Sequence, residues 1–243
     1  MSSHSAFAEA ADALAGSVLG ALSGTGDAVQ LARYADDAPD TLGALAAVRV
    51  LGADLFSPHL LRGHPLPAQD AAVVAKAFDA FPPSGTAEEA AVARRDHATA
   101  VLLARLSGDD TLRAVAPVPP DDAGLTRTAD WSAWCVRMAQ LAPLATLGLD
   151  GPVHQAAREG VLPLSRGVSR SILRRDFPTA TRLVRWLAWL HHEGAELPLD
   201  PGLVAEHVWL VGGAGPRTAL DLAIARHFLR PRTGTAPEET ARP

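Results

Sequence analysis

The sequence predicts an all-α protein, either a multi-helix bundle or an α-solenoid of stacked helix pairs, and three observations carry that prediction. Apolar residues make up 48% of the chain and Ala dominates them, a composition with high helix and weak strand propensity. Those residues recur at three- and four-residue spacing rather than in alternation. Pro and Gly fall between the periodic runs, where they punctuate turns. No fixed-period repeat is visible, which puts the bundle ahead of the solenoid.

In chain order, the periodicity predicts helices over Ala6 to Leu22, Asp27 to Ala35, and Asp40 to Phe56, the last capped by Asp40. Ala68 to Ala80 follows and is closed by Phe81-Pro82-Pro83-Ser84-Gly85. Thr86-Ala87-Glu88-Glu89 then carries the hydroxyl and reciprocal carboxylate of a capping box, opening a helix to Leu106. Pro117-Val118-Pro119-Pro120-Asp121-Asp122 removes backbone donors and fixes φ, so residues 117–122 read as a linker. Beyond it come Thr126 to Leu141, Pro152 to Glu159, Ser165 to Arg175, Pro178 to His192, Pro201 to Val211 and Pro216 to Leu229. Four of these begin with Pro, which suits the first helical turn.

This organisation divides the chain into an acidic, Ala-rich helical domain over 1–116 and a basic, Trp-containing helical domain over 123–230. A tail over 231–243 is expected to be disordered, because it lacks large apolar residues. The net charge of -5 is asymmetric. Residues 1–125 carry 8 basic against 16 acidic side chains, and residues 126–243 carry 14 against 11, giving -8 and +3. A uniformly basic nucleic-acid binder is thereby excluded, whereas a basic surface confined to the second half is not.

Cys135, the lone cysteine, excludes an internal disulfide and a cysteine-based zinc site, and fits a reducing, cytoplasmic setting. It reads as a small buried hydrophobe. No basic n-region precedes an apolar run at the start, and charges such as Arg49 and Asp54 cut the apolar stretch from Leu42 to Phe56, so no membrane span is expected.

Several features bear on chemistry. Val211-Gly212-Gly213-Ala214-Gly215-Pro216-Arg217-Thr218-Ala219 lies between two helices. It resembles the hairpin of helix-hairpin-helix DNA-binding modules, with Gly212 where that pattern has Pro. The resemblance implies phosphate contact through backbone N–H groups around Gly213, Gly215 and Thr218, with Arg217 adding charge. The same residues also read as a Gly-rich turn ending one helix and a Pro starting the next. The helix order from Thr179 to Arg230 faintly resembles the core-binding domain of tyrosine recombinases. No catalytic domain accompanies it, and the single tyrosine, Tyr34, lies upstream.

Arginines form the second feature. Arg166, Arg170 and Arg174 recur every fourth residue and share one helical face. In the next helix Ala180, Leu183, Leu187 and Leu190 form a buried stripe, so Arg182, Arg185 and Trp189 are expected to project together on the other side. Guanidinium groups beside a flat aromatic suit phosphates and bases. The alternative places Trp186 and Trp189 against further helices and pairs the arginines with acids of the first half. The five tryptophans, all between Trp131 and Trp209, could also line a ligand pocket.

His191-His192-Glu193, with Glu206-His207 beyond, lacks metal-binding spacing, and the His pair suits a helix C-terminus. Asp36-Asp37-Ala38-Pro39-Asp40 is interrupted by a helix-breaking Pro and reads as a cap. His59 and His64 fall among Pro58, Pro65 and Pro67 and read as loop residues. No catalytic residue, metal or cofactor follows from the sequence. The expectation is a non-catalytic binding protein. Its second half would contact a phosphate-bearing partner, foremost nucleic acid, and its acidic first half a protein. The alternatives are a small-molecule protein with a Trp-lined pocket, or a protein-protein scaffold.

Overall fold

The structure is a computed structural model that describes residues 3–26, 29–83, 90–119, 125, 130–212 and 215–230. Among these residues there are twelve α-helices and no strand. The first half runs α1 (Ser3–Ser23), α2 (Leu31–Asp36), α3 (Thr41–Leu51), a 3-10 turn (Gly52–Phe56), α4 (Ser57–Arg62), α5 (Ala68–Ala80) and α6 (Ala90–Ser107). The second half holds α7 (Trp131–Gln140), α8 (Pro152–Glu159), α9 (Val161–Leu173), α10 (Phe177–His192), α11 (Pro201–Gly212) and α12 (Pro216–Phe228).

Local chemistry sets most boundaries. Asp40, Asp130 and Asp176 cap α3, α7 and α10 by accepting backbone N–H groups of the first turn. α9 begins four residues before the expected Ser165. Pro163 stands at its third position, where the missing N–H has no intrahelical acceptor to lose. At its other end the N–H groups of Arg175 and Asp176 return to the carbonyls of Ile172 and Ser171 at 2.9 Å each. This is a Schellman closure, with Arg175 at φ 57 in the left-handed position that glycine usually takes.

Two expectations in the first half need correction. The helix expected to stop at Phe56 runs on through the 3-10 turn into α4, so His59 is helical and buried, and Nδ1 lies 3.0 Å from the His64 carbonyl. The continuous stretch Thr41–Arg62 is therefore long and apolar enough, by length and composition, to cross a membrane. Within the fold 72% of that window is buried, and its charges face protein partners: Arg49 pairs with Asp96, and Asp54 with Arg185.

α10 organises the molecule. It is enclosed by α7, α9, α11 and α12, which is bundle geometry rather than the nearest-neighbour stacking of a solenoid. Every side chain from Leu183 to Leu190 is buried. Trp186 donates Nε1–H to the Met138 carbonyl at 2.8 Å and meets Trp189 edge-on at 5.8 Å. α1 lies across α3 and α12, and one apolar cluster runs from Ala11 to Phe228. The two halves divided in sequence at 117–122 thus share a core among the described residues. Residues 120–122 of that segment, the capping box at 86–89 and the tail at 231–243 lie outside them.

Candidate anion-binding groove

The exposed face of α9 bears the site. Asp130 starts α7 by accepting from the amides of Ser132 and Ala133 at 3.0 Å each, which fixes Trp131 at the first helical position. α9 lies close on α7 and α10 because Gly167 has no side chain: a Cβ there would stand 2.7 Å from Cys135 Sγ and 2.9 Å from Leu183. With that side of α9 buried, Arg166, Arg170 and Arg174 are exposed on the outer one. The Arg170 guanidinium sits 5.7 Å from the centre of the Trp131 ring, a cation-π contact.

Leu162 (50% exposed) and Leu173 (85% exposed) stand beside these arginines, and Pro198 and Leu199 complete an open groove of about 720 Å³. The hydroxyls of Ser165 and Ser169 are turned back onto carbonyls of their own helix at 2.9 and 3.1 Å. Among the described residues none of the three arginines forms an ion pair. Arg174 caps the C-terminus of α9, where the helix dipole favours a cation. The result is a row of arginines whose backbone positions lie about 6 Å apart along the helix axis, next to a flat aromatic and exposed aliphatic groups.

The arginines of α10 do not join that row. Arg185 is fully buried, where Nε donates to the Ala145 carbonyl at 3.1 Å, Nη2 to Pro143 at 3.2 Å and Nη1 to Asp221 Oδ1 at 2.9 Å. Asp54 Oδ1 lies 2.7 Å from the same Nη1 but off its N–H direction, so that contact is one of charge. Burial opposes the Arg185 charge, and the two aspartates more than offset this, raising its pKa further. Burial also pushes the Asp221 carboxyl above its ordinary range against the pull of Arg185. Arg182, 40% exposed at its side chain, lies 3.9 Å from Asp221, and Trp189 is buried beneath Arg158. The expected common projection of Arg182, Arg185 and Trp189 is therefore corrected. The side of α10 opposite its leucine stripe faces α12 and Asp54 of the 3-10 turn, as in a helix buried all round.

The hairpin also stands apart. Gly213 and Ala214 lie outside the described residues. Gly212 ends α11 against Phe177, whose Cβ is 3.2 Å from where a side chain would start, so a larger residue is crowded there. Gly215 is the exposed N-cap of α12 and Thr218 is half-buried. Arg217 Nε is 2.7 Å from Asp12 Oδ1 of α1, which places a carboxylate beside the amides expected to receive phosphate.

Trp134 and Trp186 are almost wholly buried and donate to the carbonyls of Leu125 and Met138, and Trp189 is buried beside them, so these three rings are core. Trp209 is 47% exposed under Arg226 at 4.8 Å, and His207 is exposed. No group of three His, Cys, Asp or Glu side chains suited to a metal occurs among the described residues. The sequence reading passed over Leu162 and Leu173, although they share the arginine stripe at helical spacing. It also passed over Asp54 and Asp221, whose pairing with Arg185 spans most of the chain and leaves no local signal.

No protein-family model matches the chain, and comparison with curated proteins and with solved structures gives no match either.

Proposed function

We propose that this is a non-catalytic helical binding protein that holds a phosphate-bearing partner, single-stranded nucleic acid, along α9. One observation carries the reading: Arg166, Arg170 and Arg174 stand without carboxylate partners among the described residues, in a groove walled by Trp131 and exposed leucines. Sequence-independent single-strand binding uses this combination, with cations tracking the backbone and apolar or aromatic groups receiving bases. Single strand is favoured over duplex because Leu162 and Leu173 have no use against a duplex backbone but can pack against unstacked bases. Arg175 adds support. A cation occupies the left-handed position where glycine is less strained, and such strain concentrates at binding sites.

The test is fluorescence anisotropy with a short labelled single strand and the matching duplex at two salt concentrations. Three phosphate contacts give a slope of log K against log salt of about -2 for a single strand. Arg170→Ala with Arg174→Ala should weaken binding at least about tenfold with only a small fall in thermal midpoint, because both side chains are exposed and lose only a surface cation-π contact and a helix-end charge. Absence of binding to either probe at low salt would remove the proposal.

A further inference from the structure

A surface apart from the α9 groove lies on α11. That helix packs on α10 and α12 and buries Pro201, Ala205 and Val208 alone. Its two polar residues, Glu206 and His207, are adjacent and exposed. Leu203 is 67% exposed and Leu210 is 74% exposed. A single exposed leucine needs no explanation, but these two stand seven residues apart, two helical turns, with the polar pair between them. On a helix such a pair falls within about 20° of one line, and Glu206 and His207 then lie about 50° to either side of it. Val211, 50% exposed, widens the apolar strip on the His207 side.

This face complements itself. Among the described residues neither Glu206 nor His207 forms an ion pair within the chain. When a second copy presents its α11 in parallel, across a two-fold axis along the helix direction, Leu203 meets Leu203 and Leu210 meets Leu210 on that axis. Glu206 on one flank then faces His207 of the second copy, and the other flank repeats the pair. Each imidazole N–H donates to a carboxylate beside a leucine layer. The antiparallel arrangement instead sets Glu206 against Glu206 on one flank and His207 against His207 on the other, so charge selects the parallel one. Any apolar surface would suit the leucines; the reciprocal acid and imidazole are what fit a second copy. One face of a twelve-residue helix belongs with the small interfaces, below about 1,200 Å² in total, which makes the dimer reversible.

We infer that α11 is a self-association surface, on which two copies of the chain pair as a parallel, two-fold symmetric helix dimer through Leu203, Leu210 and reciprocal contacts of Glu206 with His207. Sedimentation velocity of the full chain across the micromolar range should show a monomer-dimer equilibrium. Leu203→Gln with Leu210→Gln should leave a monomer at every concentration with helix content unchanged, because both side chains are exposed. His207→Glu sets two carboxylates together on each flank and should weaken the dimer at least about tenfold, and adding Glu206→Lys should recover it. Leu203→Cys lies on the two-fold axis and should form an interchain disulfide under mild oxidation, a readout that needs no loss of association; Cys135 is buried and does not compete. Leu173→Gln in the α9 groove should leave the dimer intact. A monomer throughout, oligomers that grow beyond the dimer, a dimer that survives the double glutamine variant or is lost in Leu173→Gln, failure of Glu206→Lys to rescue, or absence of the crosslink overturns the assignment.

Discussion

Single residues illustrate how burial decides chemistry. Cys135 is 4% exposed, its thiol donates to the Pro163 carbonyl at 3.2 Å, and burial pushes its pKa up to about 11. A thiol so protonated is a poor nucleophile. Ellman's reagent at pH 8 should therefore leave the folded protein unlabelled and react once per chain in denaturant; rapid labelling of the native state contradicts the buried placement. Arg185 behaves in the opposite sense, since its charge is retained in the interior by two carboxylates. Arg185→Met leaves Asp54 and Asp221 without their partner and should cost about 3–5 kcal/mol by urea unfolding. A loss below about 1 kcal/mol would show that the cluster is not held by this ion pair.

Histidine adds a pH dependence at the same scale. Burial lowers the pKa of His154 from 6.5, and also lowers those of His59 and His227. The unfolded chain takes up protons at these positions first. Stability is thus full above the unfolded value near 6.5 and falls as pH drops through the folded values. His154→Asn should flatten that slope by at most about 1.4 kcal/mol per pH unit. Unchanged slopes in denaturation at pH 7 and pH 5.5 would remove His154 from the account.

Elements show which local rules were readable. Ala68–Ala80 and Pro152–Glu159 match their expected bounds because a Pro break or a Pro start marks them in sequence. The start of α9 was obscured by Pro163, which reads as a break but is harmless in a first turn. Its docking depends on Gly167. Gly167→Ala, although it raises helix propensity, should destabilise by about 1–3 kcal/mol through overpacking against Cys135 and Leu183. A gain in thermal midpoint would mean that α9 stands off α7 and α10. The arginine row on α9 was legible because four-residue spacing fixes a helical face without reference to any other element. The α10 arginines were misplaced because spacing does not say how many neighbours a helix has.

At the scale of the whole molecule, α1 packs on α12, Asp12 meets Arg217, and Asp54 reaches Arg185, so contacts from the first half complete the second. Calorimetry should show one transition whose calorimetric and van't Hoff enthalpies agree. A fragment of residues 123–230 should lack fixed tertiary structure, because α12 loses its cover. Two separate transitions, or a cooperatively folding fragment, would instead support the two-domain division.

The sequence alone determined helix type, most helix bounds, the Asp40 cap and the α9 arginine face. Each of these rests on interactions within a few residues, which periodicity and Pro, Gly and Asp placement encode directly. Only the tertiary structure decided that Arg185 and Trp189 are interior, that Arg217 is taken by Asp12, and that Leu203 and Leu210 are left uncovered. Those outcomes depend on which surfaces meet between elements far apart in the chain, up to 205 residues for Arg217 and Asp12, and burial is a property of the meeting rather than of either strip of sequence.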